Sequence, residues 1–200
     1  MKILNLYASI GGNRKLWGDE HEITAVEYKP EIAKVYQDFF PNDKVVVADA
    51  HEYLLEHFKE FDFIWSSPPC PSHSRSSTPL AGWGVYRYPD MKLYEEIIFL
   101  KHFFKSRWIV ENVKPYYEPL IAPITELDRH LFWGNFPISA FAVERDYNVS
   151  RATKEVLAKH HGFELPNEVQ DQMQLLRNAV YPPLGKHILD CSLKTQEVLF

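Results

Sequence analysis

The first two thirds of the chain alternate between short apolar runs and segments of helical spacing. Five apolar runs predict strands: "KILNLYA", "EITAVEY", "DKVVVAD", "FDFIWSS" and "RWIVENV". A glycine turn with a short helix, "SIGGNRKLWG", follows the first run, and three longer helices are predicted at "KPEIAKVYQDFF", "AHEYLLEHF" and "DMKLYEEIIFLKHFF". Strands that alternate with helices are typical of a parallel sheet, because each crossover returns the chain to the same edge. We therefore predict an α/β fold with a doubly wound, mostly parallel sheet.

The composition is that of a single globular domain in a reducing compartment. The chain has 200 residues, of which 46% are hydrophobic, and contains no uninterrupted apolar run of membrane-spanning length. Its N-terminus predicts a first strand rather than a signal peptide, because the apolar stretch is short and breaks at glycines. Cys70 and Cys191 are far apart, and the nine histidines form no spaced ligand pair. No disulfide framework, metal site or membrane contact is predicted, and a cytoplasmic location is expected.

The formal net charge of −5 bears on the class of partner. Proteins that grip nucleic acid non-specifically usually carry a basic surplus, because phosphate contacts drive that binding. The acidic balance argues against such a role, but it leaves room for a nucleic-acid substrate in a locally basic groove.

Distinctive residues lie where the predicted strands end, which is where ligands bind in such sheets. Gly11 and Gly12 follow the first strand and permit close approach of a ligand to the backbone, or simply form a tight turn. Glu27 ends the second strand and suits the hydroxyls of a ribose, although an ordinary solvated acid is the alternative. Asp49 ends the third strand and either contacts an adenine or caps the helix that begins at Ala50.

Cys70 and Glu111 carry the chemistry that the sequence suggests most directly. Cys70 lies in "PPCPSHS", where prolines on both sides restrict the direction of the thiol. Nearby His73 and Arg75 are candidates to lower the pKa of the thiol, whereas an unreactive loop cysteine is the alternative. Glu111 ends the fifth strand, which is the neighbour of the fourth in the simplest winding. If it is buried there, the pKa of this carboxyl would rise enough for it to donate a proton.

The segment from His73 to Pro89, "HSRSSTPLAGWGVYRYP", is long and rich in serine, glycine and aromatic residues. Loops of this length without an element of their own are often lids or binding loops. Trp83 and Tyr86 are candidates to fold over a planar ligand.

These motifs together resemble those of the cytosine-C5 methyltransferases that depend on S-adenosylmethionine. "LYASIGG" resembles the Phe-x-Gly-x-Gly-Gly motif, "PPCPSHS" the Pro-Cys nucleophile motif, "ENV" the Glu-Asn-Val motif, and "RNAVYP" the Gly-Asn-Ala-Val-x-Pro motif. The resemblance implies a sheet of the class I S-adenosylmethionine-dependent methyltransferase (Rossmann-like) type. It implies the catalytic residues Cys70, Glu111, Asn112 and Arg129. It also implies cofactor contacts from Tyr7, Ala8, Ser9, Ile10, Gly11, Gly12, Glu27, Asp49, Ala50, Pro69, Asn178, Ala179 and Val180.

The sequence departs from the family's pattern at several positions. Tyr7 replaces Phe, while Ser9 and Arg177 replace glycines. The family's Gln-x-Arg motif is not matched in full: in "TELDRHLFWGNF", Arg129 takes the place of its arginine, with His130 as the alternative. Only residues 137–176 lie where family members usually carry a large target-recognition domain. We therefore expect a catalytic, cofactor-binding unit over 1–137, a reduced helical segment over 138–176, and a C-terminal helix over 177–200 that returns to the catalytic unit. The pattern after Pro137 predicts two or three helices, with breaks at 162–166 and 182–183.

The function that the resemblance implies is methylation of cytosine C5 in DNA through a covalent adduct of Cys70 with C6. In duplex DNA the base would first have to be flipped out of the stack. The same chemistry on RNA or on a free cytosine nucleotide is the first alternative, and a cofactor-binding subunit with little activity of its own is the second. DNA is the expected partner, with a separate recognition subunit or a homodimer as further partners, in a bacterial or phage-infected cell.

Overall fold

The computed structural model describes residues 1–74, 88–145, 147–149 and 151–197, with side chains as far as residue 194. Most of the predicted binding loop between His73 and Pro89, including Arg75, Trp83 and Tyr86, lies outside the described residues. The strands are β1 (Lys2–Leu6), β2 (Glu22–Glu27), β3 (Lys44–Val47), β4 (Phe63–Ser66), β5 (Arg107–Val113), β6 (Thr125–Leu127) and β7 (His130–Gly134). The α-helices are α1 (Pro30–Phe39), α2 (Ala50–His57), α3 (Lys92–Phe103), α4 (Lys154–His161), α5 (Gln172–Asn178) and α6 (Pro182–Glu197).

The seven strands form one sheet in the order β3-β2-β1-β4-β5-β7-β6. β1 to β5 are all parallel, and the antiparallel strands β7 and β6 extend the sheet beyond β5. The predicted α/β class and the doubly wound, mostly parallel sheet are confirmed. The β6–β7 hairpin was not predicted, because β6 is only three residues long and the apolar run of β7 has no clear alternation.

Consecutive residues of the central strands point to opposite faces of the sheet and are buried on both. Leu4 and Ile64 belong to the cluster that packs beneath α3, whereas Ile3 and Phe63 belong to the cluster that packs against α6. Burial on both faces explains why these strands read as continuous apolar runs in the sequence. The positions left for polar side chains are therefore mainly the ends of the strands.

Helix α6 docks on the short 3₁₀ helix Arg14–Leu16 that follows the first glycine turn. The indole Nε1 of Trp17 donates to the carbonyl of Gly185 at 3.2 Å. A Cβ atom on Gly185 would lie 2.4 Å from the carbonyl oxygen of Asn13 and 2.7 Å from its Cα. Glycine at this helical position is required because two backbones touch there.

Among the residues described after Pro137, the chain forms three helices, within the predicted two or three. The first predicted break is confirmed: Gly162, with φ +67°, ends α4 in the left-handed conformation. The second break was misplaced, because α5 ends at Asn178 and Pro182 begins α6. Proline is tolerated in a first helical turn, where its missing N–H would have no intrahelical acceptor.

The division into units 1–137, 138–176 and 177–200 stays a prediction, and its last boundary falls inside α5. In the described ranges, no helix is long and apolar enough to cross a membrane.

We predict that Gly185→Ala destabilises the fold by about 1–3 kcal/mol, because the added methyl group would push α6 away from the Asn13 backbone. Urea unfolding followed by circular dichroism measures the change. The neighbouring Lys186→Ala, on the exposed side of the same helix, should change stability by less than about 0.5 kcal/mol. Equal losses for the two variants would contradict the docking argument.

Candidate active site

One cleft of about 1170 Å³ opens at the carboxyl ends of the parallel strands. All four predicted catalytic residues line it: Cys70, Glu111, Asn112 and Arg129. Seven of the predicted cofactor residues line it as well: Tyr7, Ser9, Glu27, Asp49, Ala50, Pro69 and Asn178. His130 and Arg177, the two further residues that the motif departures singled out, also face this cleft. Residues from both ends of the chain therefore meet in one place.

The turn after β1 has a strained backbone that a carboxylate holds in place. Tyr7 and Ser9 have φ values of +56° and +48°, in the left-handed region that residues with side chains seldom adopt. The Ser9 amide donates to Oε2 of Glu27 at 3.0 Å, and the Lys29 amide donates to Oε1 of the same carboxylate at 3.0 Å. Glu27 is thus a tether for this turn as well as a lining residue of the cleft.

The glycines of this turn serve packing within the protein. A Cβ atom on Gly11 would lie 2.3 Å from Cε2 of Phe40, and one on Gly12 would lie 2.6 Å from the carbonyl oxygen of Val180. Along the Cβ direction the close neighbours are thus a side chain and a loop of the protein itself, and close approach of a ligand to this backbone stays a prediction.

The remaining predicted cofactor residues do not reach the cleft. Gly11 and Gly12 do not line it, and the four others are buried in the packed interior: Ala8, Ile10, Ala179 and Val180. Their place in the motifs reflects how the first turn and the α5–α6 loop pack together. These six residues pack against other parts of the protein, and their contact with the cofactor stays a prediction.

Asp49 caps α2, as one of its two interpretations predicted. Its Oδ1 accepts from the amides of His51 and Glu52 at 2.9 and 3.1 Å. The Glu52 amide is the largest cause of a lowered pKa for this carboxyl. Because Asp49 also faces the cleft, a contact with an adenine stays a prediction beside the capping role.

The loop that carries Cys70 is fixed from two sides. Asn112 donates through Nδ2 to the carbonyl of Pro68 at 2.9 Å, and its Oδ1 accepts from the Val113 amide at 2.9 Å. The carbonyl of Cys70 accepts from the amides of His73 and Ser74 at 2.9 and 3.0 Å. Asn112 is therefore a positioning residue that ties the cysteine loop to β5.

Burial raises the pKa of the Cys70 thiol, and the nearby Glu111 raises it further. The Arg129 guanidinium acts in the opposite direction. The expectation that His73 supplies the neighbouring cation is wrong: its buried ring contacts the Tyr117 hydroxyl at 2.5 Å, and burial lowers its pKa. Arg75, the other candidate, lies outside the described residues.

Glu111 is buried in β5, and its burial raises the pKa of the carboxyl to about 7. A hydrogen bond from the Ser67 side chain and the charge of Arg129 limit the rise. Nε2 of His130 lies 3.4 Å from Oε1 of Glu111. Burial holds the pKa of His130 well below its usual value, so this ring is neutral beside the carboxyl.

Arg129 projects from the tight turn of the β6–β7 hairpin. The turn follows from Asp128, whose φ is +56°, and Asp128 forms an ion pair with Arg145. The Arg129 guanidinium donates to the carbonyl of Arg177 at the end of α5. The charge of Arg129 acts to lower the pKa of both Cys70 and Glu111, and its catalytic role stays a prediction.

Sequence reasoning missed Glu96, which is completely buried in α3 beneath the cleft. The available signal was its spacing, since Glu96 lies three residues after Leu93 and four before Leu100 on the apolar face of the helix. A carboxylate on a buried helical face needs hydrogen-bond partners and indicates a specific site.

Fold and cleft together define a methyltransferase of class I type, whose cofactor is S-adenosylmethionine. The profile of the C-5 cytosine-specific DNA methylase family matches residues 1–115, more than half of the chain. The chain belongs to this family.

Solved structures extend the comparison. The methyltransferase EhMeth of Entamoeba histolytica aligns over 98% of both chains, with a TM-score of 0.63 and 11% identity, and thus shares the fold. DNMT2 of Spodoptera frugiperda aligns over 56% of this chain and 35% of its own, with 28% identity and a TM-score of 0.42. A putative DNA modification methyltransferase encoded within an Escherichia coli prophage aligns over 59% and 33%, with 18% identity and a TM-score of 0.41. This chain thus spans about a third of the length of the last two. Comparison with curated protein sequences gives no match.

We predict that Glu111 makes the folded protein less stable as pH rises from 4.5 to 7. The pKa of this carboxyl is 4.5 in the usual case and about 7 in the folded state, so the folded protein binds more protons in that window. Between pH 4.5 and pH 7, Glu111 lowers the free energy of unfolding by on the order of 3 kcal/mol.

Glu111→Gln should therefore gain stability relative to the unmodified protein between pH 5 and pH 8, as measured by urea unfolding. Glu22→Gln, at the exposed start of β2, controls for the removal of one negative charge. A Glu111→Gln difference that is the same at both pH values would contradict the burial argument.

Proposed function

We propose that the protein transfers a methyl group from S-adenosylmethionine to C5 of cytosine in DNA through a covalent bond between Cys70 and C6. The observation that carries the proposal is the meeting of Cys70, Glu111 and Arg129 in one cleft, where the pKa of Glu111 is about 7. A thiol, a carboxyl that can donate a proton near neutral pH and a fixed cation are what addition to a cytosine ring requires.

The part of the cleft beside the ends of β2 and β3 has hydrogen-bond acceptors and apolar surface that suit the cofactor. The Glu27 carboxylate accepts one amide at each oxygen and keeps lone pairs for two ribose hydroxyls. Tyr28, Ala50 and Pro69 offer apolar surface beside Asp49 for the adenine, and Asn178 faces the cleft from α5. When bound, the cofactor supplies the methyl group as an electrophile on a sulfonium.

Each catalytic residue has a separate role in the reaction. The Cys70 thiol gives its proton to water, and its sulfur forms a bond to C6 while the proton of Glu111 passes to N3. The electron pair thus placed at C5 would take the methyl group as the bond from the methyl carbon to the sulfonium sulfur breaks, so that a neutral thioether leaves. Loss of the C5 proton to a base then expels the Cys70 sulfur, and N3 returns its proton to Glu111. Arg129 offsets the negative charge of Cys70 and Glu111 during this cycle.

Asn112 acts earlier, by holding the loop on which Cys70 sits. Its hydrogen bond to the carbonyl of Pro68 fixes the start of that loop against β5. The thiol therefore has a set position before the base arrives, which lowers the entropic cost of the attack.

A second candidate is the same chemistry on RNA or on a free cytosine nucleotide. Acidic side chains outnumber basic ones around the cleft: Glu27, Glu31, Asp38, Asp49, Glu111, Glu168 and Asp171 against Lys29, Lys34, Arg129 and Arg177. Such a lining favours a less highly charged substrate than duplex DNA.

The trapping experiment uses duplex DNA that contains 5-fluorocytosine, incubated with labelled S-adenosylmethionine. Fluorine at C5 blocks the final elimination, so the protein should remain attached through denaturing electrophoresis. Cys70→Ala should abolish the complex, and Glu111→Gln should slow its formation by about 10²–10⁴-fold. Cys191→Ala is the matched control, because this second cysteine lies in α6 outside the cleft and should leave trapping intact.

Substrate class is tested by parallel reactions with single-stranded RNA and a free nucleotide carrying the same base. Trapping on DNA alone supports the proposal, and trapping only on RNA or nucleotide moves it to the second candidate. A complex that persists in Cys70→Ala would overturn the assigned nucleophile. If no substrate is trapped unless another protein is added, the chain is a subunit of a larger enzyme.

A further inference from the structure

Glu96 binds three side chains that come from three different elements. The Tyr7 hydroxyl donates to its Oε1 at 2.6 Å, and Nδ1 of His51 lies 3.1 Å from the same oxygen. The Ser66 hydroxyl donates to Oε2 at 2.5 Å. Glu96 itself has no solvent exposure. Both carboxylate oxygens are therefore engaged inside the protein.

Each of the three partners lies in, or next to, a segment that lines the cleft. Tyr7 follows β1 and lines the cleft itself. His51 lies in the first turn of α2, next to the cleft residues Asp49 and Ala50. Ser66 ends β4, directly before the loop that carries Cys70. A single buried carboxylate thus connects the first turn, the α2 N-terminus and the cysteine loop.

The connection matters most at Tyr7, whose backbone is strained. A tyrosine at φ +56° persists only where the surroundings hold it. A hydrogen bond to a carboxylate is among the stronger ones available to a hydroxyl. The phenylalanine that the family usually has at this position has no hydroxyl with which to make this bond.

We propose that Glu96 is a positioning residue that holds the Tyr7–Ser9 turn in the form that binds the cofactor. It acts through the Tyr7 hydroxyl and touches neither cofactor nor base. This inference rests on the proposed placement of the cofactor against Tyr7, Ser9 and Glu27.

The chain contains a matched pair for comparison. The Tyr36 hydroxyl donates to Oδ2 of Asp43 at 2.8 Å, and both side chains are buried. Neither residue lines the cleft. Tyr7→Phe and Tyr36→Phe therefore each remove a hydroxyl that donates to a buried carboxylate, once from a residue that lines the cleft and once from a residue that does not.

The test measures the Kd for S-adenosylhomocysteine by calorimetry and the stability by urea unfolding. Tyr7→Phe should raise the Kd about tenfold, the order expected for one lost hydrogen bond to a charged group. Tyr36→Phe should leave the Kd within about twofold while it lowers stability by a similar amount. Glu96→Gln, which keeps the size of the side chain, should raise the Kd at least as much as Tyr7→Phe.

Unchanged affinity in Tyr7→Phe, or equal loss of affinity in Tyr7→Phe and Tyr36→Phe, would overturn the positioning role. If Glu96→Gln does not fold, the comparison of Tyr7→Phe with Tyr36→Phe still tests the positioning role. Glu27→Gln separates this inference from the proposed function. Weaker binding in Glu27→Gln with no change in Tyr7→Phe rejects the role of Glu96 alone, whereas no change in either variant rejects the placement of the cofactor.

Discussion

The parallel register of β1, β4 and β5 is the constraint on which the site depends. Leu6 pairs with Ser66, and Ser66 pairs with Val110. The residue after each of these, Tyr7, Ser67 and Glu111, is therefore at the same level of the sheet. Because side chains alternate between faces, a slip of one residue in β5 would move Glu111 to the opposite face. Strand pairing therefore brings the first turn, the cysteine loop and the acid to one level, where Glu27 and Asn112 then fix the turn and the loop.

Burial then gives two glutamates in this small region different properties. Glu111 faces Phe132 of β7 across an antiparallel pair and has a neutral histidine at its side. Its main hydrogen-bond donor is the Ser67 side chain, so the loss of water dominates and the pKa rises. Glu96 instead receives partners at both oxygens. Glu111 thus has a raised pKa, whereas both oxygens of Glu96 have hydrogen-bond partners inside the protein.

Elements that depend on residues close together in the sequence were predicted, and features that depend on contacts between distant residues were missed. Strands such as β4 read as continuous apolar runs and helices such as α1 have a periodic apolar pattern, so their place was predictable. The β6–β7 hairpin depends on pairing with β5, and no local sequence pattern predicts that pairing. A Cβ atom on Gly12 would meet Val180 near the other end of the chain, and this packing reason for a glycine was not predicted from the sequence. The motif resemblance found Arg129, but the hairpin turn that presents it was visible only in the fold.

The helices after Pro137 complete the site from outside the sheet. The Lys15 ammonium donates to the carbonyl of Gly162 at the end of α4 and lies 3.9 Å from the centre of the Phe163 ring. The carbonyl of Arg177 at the end of α5 accepts from Arg129. The α5–α6 loop then packs on Gly12, so that the last helices are fixed to the first turn. Whatever recognises the substrate, these helices give Arg129 and the first turn contacts that the sheet does not provide.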